Sequence, residues 1–183
     1  MGILDFLGLK KTEVTSTAAA ASPETETVRK IVAKLDAMDP ETARYIAAFA
    51  FILSRVAHAD LNISEQETSA MERIVIERGG LPEEQAVLVV QMAKTQSRLF
   101  GGTENFLVTR EFTRLASQEQ KLALLDCLFA VSAADLSVST AEEVEIKKIV
   151  SEFKLSHDDY IAARLRYRDH LAVLKKPEKD SAK

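Results

Sequence analysis

The chain of 183 residues has very little cysteine, no tryptophan and no long apolar run. Cys127 is the single cysteine, so neither an intramolecular disulfide nor a cysteine-based zinc site can form, which favours a reducing compartment. The best candidate for a membrane span, residues 45–53, has nine apolar residues, less than half of the roughly 20 required. These absences argue against a disulfide scaffold and against a membrane-spanning helix.

A surplus of positive charge is also missing, since the formal net charge is −4. A general nucleic-acid binder needs excess lysine and arginine to face phosphates, so we expect no nucleic-acid partner. Residues 1–9 do not read as a secretory signal, because Asp5 interrupts their apolar part and Lys10 and Lys11 follow it. The predicted location is therefore the cytoplasm.

Proline, glycine and hydrophobic periodicity all predict helices. Pro23, Pro40 and Pro82 precede acidic residues that open apolar-periodic runs, and Ser22 and Asp39 are placed as N-caps. The run at residues 87–90 fits a buried strand by composition, but the helix start before it favours a helix. We predict an all-α bundle of seven to eight helices, the last of which opens after Ser156 and carries these apolar residues: Tyr160, Leu165 and Leu171.

Composition divides the chain into three parts. Residues 1–21 form an apolar N-terminal peptide and linker, residues 22–174 a helical domain, and residues 175–183 a charged tail. The peptide at residues 3–9 is too apolar for a solvated tail and too short for a span. Packing in a groove of the domain or disorder is one interpretation, and peripheral contact with the inner membrane surface is the other. The apolar side chains concerned are Ile3, Leu4, Phe6, Leu7 and Leu9.

The basic C-terminal end admits two interpretations. Residues 164–183 contain seven lysines and arginines against three acids. The simpler interpretation is a solvated face favoured by the negative end of a helix, and the other is a cationic patch that assists membrane contact. The basic residues concerned are Arg164, Arg166, Arg168, Lys175 and Lys176.

The chain contains an internal repeat. Shifting residues 53–77 by 75 positions onto residues 128–152 gives ten identities in 25 positions. Each half, at about residues 40–98 and 117–172, then contains three helices with an acidic turn between the first two. The two turns, residues 58–64 and 133–139, are called here the first and second acidic turns.

Each acidic turn leads into a capping box. Ser64 with Glu67, and Ser139 with Glu142, have the spacing in which serine and glutamate satisfy each other's backbone amides. Capping does not explain Asp60 and Asp135, because carboxylates at a helix C-terminal end oppose its dipole. If the two turns lie side by side, four carboxylates converge and need a counter-ion. The predicted metal ligands are Asp60, Glu67, Asp135 and Glu142.

Ligands that are all oxygen favour a hard divalent cation, with Ca²⁺ preferred and Mg²⁺ or Mn²⁺ as alternatives. Asp60, Asn62 and Ser64 begin like an EF-hand loop, but Glu65 replaces its central glycine and Met71 replaces its last ligand. The histidines lack partners at zinc spacing, and Cys127 is expected in the core. Neither a phosphate loop nor a nucleophile motif is recognisable.

One short pattern occurs twice in the chain: alanine and aspartate, two variable residues, isoleucine or valine, serine, and a glutamate three positions after the serine. This repeated pattern resembles the TerB-like family of tellurite-resistance proteins. The resemblance covers most of residues 40–172 and implies an all-α domain whose paired acidic turns chelate a divalent cation. The family usually has glycine directly after the aspartate. Here Leu61 and Leu136 follow, so we expect turns that do not use positive φ there. The domain is shared with a membrane-anchored DnaJ-like co-chaperone, whose His-Pro-Asp signature is absent here.

Three functions follow for testing. The first is a non-enzymatic, cation-binding interaction module of the TerB-like kind, linked to tellurite resistance and stress and placed in the cytoplasm or at the inner membrane surface. The second is a metal-free helical scaffold in which the acidic turns only cap helices. The third is a metal-dependent hydrolase, which lacks an evident base apart from His58. The sequence identifies neither the protein partner nor the oligomeric state.

Overall fold

The computed structural model describes residues 23–57, 65–96, 105–134 and 136–174. Within these ranges it contains eight α-helices and no strand, which confirms the predicted all-α fold. Two short 3₁₀ segments, Arg168–His170 and Ala172–Leu174, follow the last helix. The helices are α1 Pro23–Asp36, α2 Pro40–Ala57, α3 Glu65–Glu77, α4 Glu83–Gln96, α5 Asn105–Leu115, α6 Gln118–Ser132, α7 Thr140–Phe153 and α8 His157–Arg166.

The central element is α2, which packs against α4, α5, α6 and α7. Ile46, Phe49, Leu53 and Val56 have the spacing of one helical face. All four side chains are buried, but so are alanines and bulky residues on the other faces of the helix, Phe51 among them. A helix that is apolar on all sides occupies a core position, whereas a helix with a single apolar stripe lies at the surface.

Side-chain caps begin several helices as predicted. The Asp39 carboxylate accepts hydrogen bonds from the amides of Glu41 and Thr42 at 3.1 and 3.0 Å. Full capping boxes precede α6, α7 and α8. The apolar run at residues 87–90 is helical, within α4, as its upstream start signal predicted. Ser22 lies outside the described residues.

The last predicted helix is shorter than expected. It ends at Arg166, and Leu165 is exposed instead of buried. Leu171 is fully buried, but it lies beyond the helix between the two 3₁₀ segments. The chain leaves helical geometry at Tyr167, with φ −110° and ψ 14°, and this change lets Leu171 reach the core.

The two predicted halves, α2 to α4 and α6 to α8, pack reciprocally. The second helix of each half contacts the first helix of the other, α3 against α6 and α7 against α2, and the two first helices contact each other. This exchange is the arrangement expected of a duplicated three-helix unit. The inserted α5 packs on both α2 and α7, where Phe112 stacks between Tyr45 and Phe153 at centroid distances of 5.3 and 5.1 Å.

Backbone conformation repeats between the halves. Gly80 follows α3 with φ +69°, and Lys154 follows α7 with φ +58°. The leucines that come next, Leu81 and Leu155, are both buried. The duplication therefore preserves a left-handed C-terminal turn even where glycine has become lysine. Among the described residues, no helix is long and apolar enough to cross a bilayer.

Candidate functional site

Two backbone hydrogen bonds tie the described residues of the second acidic turn to the end of α6. The amide of Ala134 donates to the carbonyl of Val131 at 3.1 Å, and the amide of Leu136 donates to the carbonyl of Ala133 at 3.0 Å. Leu136 has φ +72°, so the expectation that this position avoids positive φ was wrong. The turn keeps a glycine-like conformation with a leucine in it, at a steric cost of about 1 to 2 kcal/mol.

The C-terminal segment holds the far side of this turn. The amide of Val138 donates to the carbonyl of His170 at 2.7 Å, and the amide of Ala172 donates to the carbonyl of Val138 at 2.9 Å. Together they form a parallel bridge between Val138 and Leu171, whose side chains are both fully buried. The segment after α8 thus contacts the turn between α6 and α7.

Glu142 is the predicted ligand whose side chain the structure describes. It lies in the first turn of α7, where its carboxylate accepts a hydrogen bond from the Ser139 amide at 2.8 Å. Its own amide donates to the Ser139 hydroxyl at 3.2 Å. This residue is only 7% exposed, whereas the equivalent acceptors before α6 and α8, Gln120 and Asp159, are exposed and half-buried. Capping alone does not require such burial.

The other three predicted ligands are not described at the side-chain level. Asp60 and Asp135 lie outside the described residues, as do His58 and Leu61. The backbone of Glu67 belongs to the first turn of α3, but its side chain is outside the description. Convergence of the four carboxylates therefore stays a prediction. Among the side chains that are described, no group of three or more candidate ligands is placed to hold a metal ion.

A buried ion cluster lies between the end of α2 and α7. The Arg55 side chain is 6% exposed, and its Nε donates to Glu145 Oε1 at 2.8 Å. Its Nη1 donates to Glu152 Oε2 at 2.7 Å and to Thr109 Oγ1 at 2.8 Å. One guanidinium therefore joins α2, α5 and α7.

Charge and burial act in opposite directions in this cluster. Burial lowers the pKa of Arg55, but hydrogen bonds and charge from Glu152 and Glu145 outweigh it, so the net pKa is raised. Burial raises the pKa of Glu145, yet Arg55, with a contribution from Lys148, brings it below its ordinary value. Each charged form is stabilised by its partner.

The cluster also indicates where the two halves meet. Glu145 follows Glu142 by three residues on α7, which places them on one face about 4.5 Å apart along the axis. Arg55 occupies the last turn of α2, immediately before the first acidic turn. The Arg55–Glu145 contact therefore brings the helix that enters the first turn close to the helix that leaves the second.

Part of the basic C-terminal end is engaged in ion pairs, in which the side chain of Arg166 is 62% exposed, as a solvated face predicts, and that of Arg164 is 22% exposed. Arg164 donates to Glu143 at 2.6 Å, and Arg166 donates to Asp126 at 2.9 Å. Arg78 approaches the other oxygen of Asp126 at 3.6 Å. Arg168 also fits the expectation of a solvated face, since its side chain is exposed and its ion pair is with the neighbouring Asp169. Lys175 and Lys176 lie outside the described residues.

The thiol and the described histidines show no ligand geometry. Cys127 is fully buried, as predicted, and burial followed by the charge of Asp126 raises the pKa of its thiol. His157 is exposed at the start of α8, and His170 acts through its backbone carbonyl. These observations favour a core role for Cys127 and structural roles for the two histidines.

Sequence analysis missed two residues at this junction, Arg55 and Ser132. Arg55 is a charged residue next to Ser54 and Val56 near the end of an otherwise apolar run, which signals a buried partner. Ser132, the last residue of α6, aligns with Ala57 in the repeat, and such a departure between halves is detectable. The partners of Arg55, Glu145 and Glu152, carry no comparable signal.

Fold and junction together define a class, a duplicated helical domain whose halves are joined by the Arg55 ion cluster. Comparison with known families gives the particular one. A family model described as "Tellurite resistance protein TerB" matches residues 46–165, about two thirds of the chain. The chain therefore belongs to the TerB family. The comparisons found neither a curated protein nor a solved structure that matches it.

Proposed function

We propose that this chain is a non-enzymatic interaction module that binds a divalent cation and serves tellurite resistance or a related stress response. Membership of the TerB family supports the link to tellurite resistance. Asp60, Glu67, Asp135 and Glu142 supply the cation's ligands. Because all of them are oxygen donors, Ca²⁺ is preferred and Mg²⁺ and Mn²⁺ are alternatives.

The observation that carries the proposal is the burial of Glu142. A carboxylate taken out of water needs compensating charge or hydrogen bonds. One oxygen of this carboxylate accepts a hydrogen bond from the Ser139 amide. A divalent cation bound by Glu142 and the aspartates of the two turns would supply positive charge at this position.

The reciprocal packing of the halves supports a single shared site. Arg55 ties the end of α2 to α7 within one helical turn of Glu142. Ligands from both acidic turns can then reach one ion, and the ion in turn would join the halves. Cation binding would stabilise the domain as a platform for a protein partner.

The direct test is the melting temperature of chelator-stripped full chain with and without millimolar CaCl₂. A ligand that binds the folded state alone stabilises it by about 2.7 kcal/mol at 100 times its Kd, so the wild-type melting temperature should rise. The double variant Asp60→Ala, Asp135→Ala should lose this rise. An unchanged wild-type melting temperature would count against cation binding.

Glu142→Gln separates the cation from the cap. Glutamine caps α6 in the box of Ser117 and Gln120, so the variant keeps a capping side chain and loses a charge. Without cation it should lose no more than about 1 kcal/mol, the helix-dipole contribution of the charge. With CaCl₂ its stabilisation should be smaller than that of the wild type. The matched control Asp159→Asn, in the box of α8, should respond like the wild type.

A metal-free scaffold is the second candidate function. The observation that favours it is the complete capping box of Ser139 and Glu142, which uses protein atoms alone. This candidate predicts equal melting temperatures with CaCl₂ and with chelator. The same experiment therefore decides between the two functions.

We also propose that the chain catalyses no hydrolysis. Metal-assisted hydrolysis needs an open coordination position and a group that manages the proton, and His58 is the one candidate from sequence. Incubation with phosphoester substrates and each cation should give no turnover above a no-protein blank. Turnover that requires the cation and disappears in His58→Ala would contradict this.

A cytoplasmic location with peripheral contact at the inner membrane surface is part of the proposal. Residues 3–9 would insert apolar side chains while Lys10 and Lys11 meet anionic headgroups. Full-length chain should then sediment with anionic vesicles more than a chain lacking residues 1–21. Salt should reduce the difference only partly, because apolar burial persists. Equal sedimentation would remove the peptide from any membrane role.

A further inference from the structure

Two arginines from different helix ends meet at one buried carboxylate on α6. The Asp126 side chain is 10% exposed, and its Oδ1 accepts a hydrogen bond from Arg166 Nη1 at 2.9 Å. The Nη1 of Arg78, which directly follows α3, lies 3.6 Å from the other oxygen, Oδ2. Both guanidiniums therefore face the same carboxylate and lie close to each other. Arg78, Asp126 and Arg166 are called here the arginine cluster.

The cluster holds more positive charge and more donors than Asp126 needs. Arg166 already supplies a charge-assisted hydrogen bond. Arg78 adds a second positive charge but no hydrogen bond, because 3.6 Å is beyond hydrogen-bond distance. The side chains of Arg78 and Arg166 are 53% and 62% exposed, so donors of both guanidiniums are open to solvent. The cluster as a whole keeps one uncompensated positive charge.

The residue next to Arg166 fixes the end of α8 against α6. The Tyr167 hydroxyl donates to the Asp126 backbone carbonyl at 3.3 Å, and the Tyr167 ring stacks on Phe129 at a centroid distance of 5.8 Å. The backbone that carries Arg166 is therefore held in place without any ligand. Donors that are already positioned lose less conformational freedom on binding than donors on a mobile segment.

The internal repeat shows that this fold does not require charge at these positions. The residues related by the repeat to Arg78, Asp126 and Arg166 are, in that order, Phe153, Phe51 and Met92. The third follows the 74-residue shift that relates Leu81 to Leu155. All three are buried, and the inserted α5 covers Phe153, on which Phe112 stacks at 5.1 Å. The arginine cluster is the open and charged counterpart of a covered apolar position.

We infer that the arginine cluster binds a phosphate group, as inorganic phosphate or as a monoester. Guanidiniums bind phosphate oxygens through paired N–H donors, and a tetrahedral phosphate offers oxygens to two guanidiniums at once. Asp126 offsets the repulsion between the two arginines and so keeps them together in the empty site. The remaining positive charge attracts the anion.

Titration of the chelator-stripped full chain with sodium phosphate tests this inference, with NaCl used to keep the ionic strength constant. The Nε–Hε signals of Arg78 and Arg166 in ¹H–¹⁵N NMR spectra should shift along one saturating curve. Arg78→Gln and Arg166→Gln should each raise the Kd for phosphate about tenfold, as expected for the loss of a charge-assisted hydrogen bond. Both side chains are exposed, so the variants should fold.

Arg114→Gln is the matched control. Its guanidinium is 58% exposed and also pairs with a carboxylate, that of Glu111 at 2.7 Å, but no second arginine is described at that pair. This variant should bind phosphate with the Kd of the wild type. Shifts that do not saturate, or that are equal at Arg114 and at the cluster, would overturn the inference, because they would reflect general attraction of anions to arginine.

Arg166→Lys separates the shape of the guanidinium from its charge. Lysine keeps the charge but lacks the planar fork, so this variant should also bind phosphate more weakly than the wild type. An unchanged Kd would overturn the inference, since charge alone would then explain the binding.

A parallel titration with glycerol phosphate identifies the source of the phosphate group. Tighter binding than that of inorganic phosphate indicates a monoester, and equal or weaker binding indicates inorganic phosphate. No divalent cation is added in either titration, so the results do not depend on the proposed cation site.

Discussion

The two halves of the domain share a left-handed turn after their second helices but differ in polar chemistry. Gly80 and Lys154 occupy equivalent left-handed turns, and buried leucines follow both. At the ends of the first helices, however, Arg55 aligns with alanine and Ser132 aligns with alanine in the opposite half. Apolar packing and turn geometry are therefore shared between the halves, while charges and hydroxyls have specialised at their junction.

The strongest test of this comparison is Arg55→Ala, which removes a polar residue that the second half lacks. The change removes the Arg55 cation from the carboxylates of Glu145 and Glu152, both about one-fifth exposed, and leaves Glu145 with its ion pair to Lys148. Breaking such a buried pair costs about 3 to 5 kcal/mol, and we expect a loss of about 3 kcal/mol in urea unfolding.

The surface pair of Lys30 and Glu26 is the matched control for Arg55. Both side chains are more than 60% exposed. Lys30→Ala should therefore cost less than about 0.5 kcal/mol, as is usual for exposed pairs one helical turn apart. A loss below 1 kcal/mol in Arg55→Ala would mean that the buried cluster behaves like a surface pair.

The conformations that the two halves share can be tested by placing glycine where φ is positive. Leu136→Gly and Lys154→Gly should each stabilise the domain by about 1 kcal/mol, since glycine relieves the steric cost of the left-handed conformation. Leu136 is 71% exposed, so little apolar burial is lost. The reciprocal change, Gly80→Ala, should destabilise the domain by a similar amount, although the added methyl group would contact no neighbouring atom. Thermal melting of the three variants checks the signs.

The smallest predicted effect concerns pH. Because the pKa of Glu145 is lowered in the folded state, its contribution to stability is present above its ordinary value of 4.5 and is lost as the pH falls through the lowered value. Glu145→Gln should therefore be less stable than the wild type at pH 7, and the difference should shrink below about pH 4.5. Urea unfolding between pH 3 and 7 measures it. A difference that is constant with pH would indicate packing instead of charge.

Much of the fold was predictable because its signals are local. The caps at Asp39 and Ser139 were confirmed, since each is formed by residues three positions apart. The exposure of Leu165 and the position of Leu171 were not, because the end of α8 depends on the packing of the terminal segment. Leu136 shows the same limit, as tertiary contacts around the turn override a residue's own preference.

For the candidate site, the sequence by itself determined the repeated acidic turns, the cap that uses Glu142 and the core position of Cys127, all from patterns within a few residues. Only the tertiary structure decided that Arg55 would find partners 90 and 97 residues away, and that the Ser132 hydroxyl would be buried with no hydrogen-bond partner among the described residues. The reason is physical. A cap is satisfied by its own helix, but the partner of a buried charge or hydroxyl is chosen by which helices pack together.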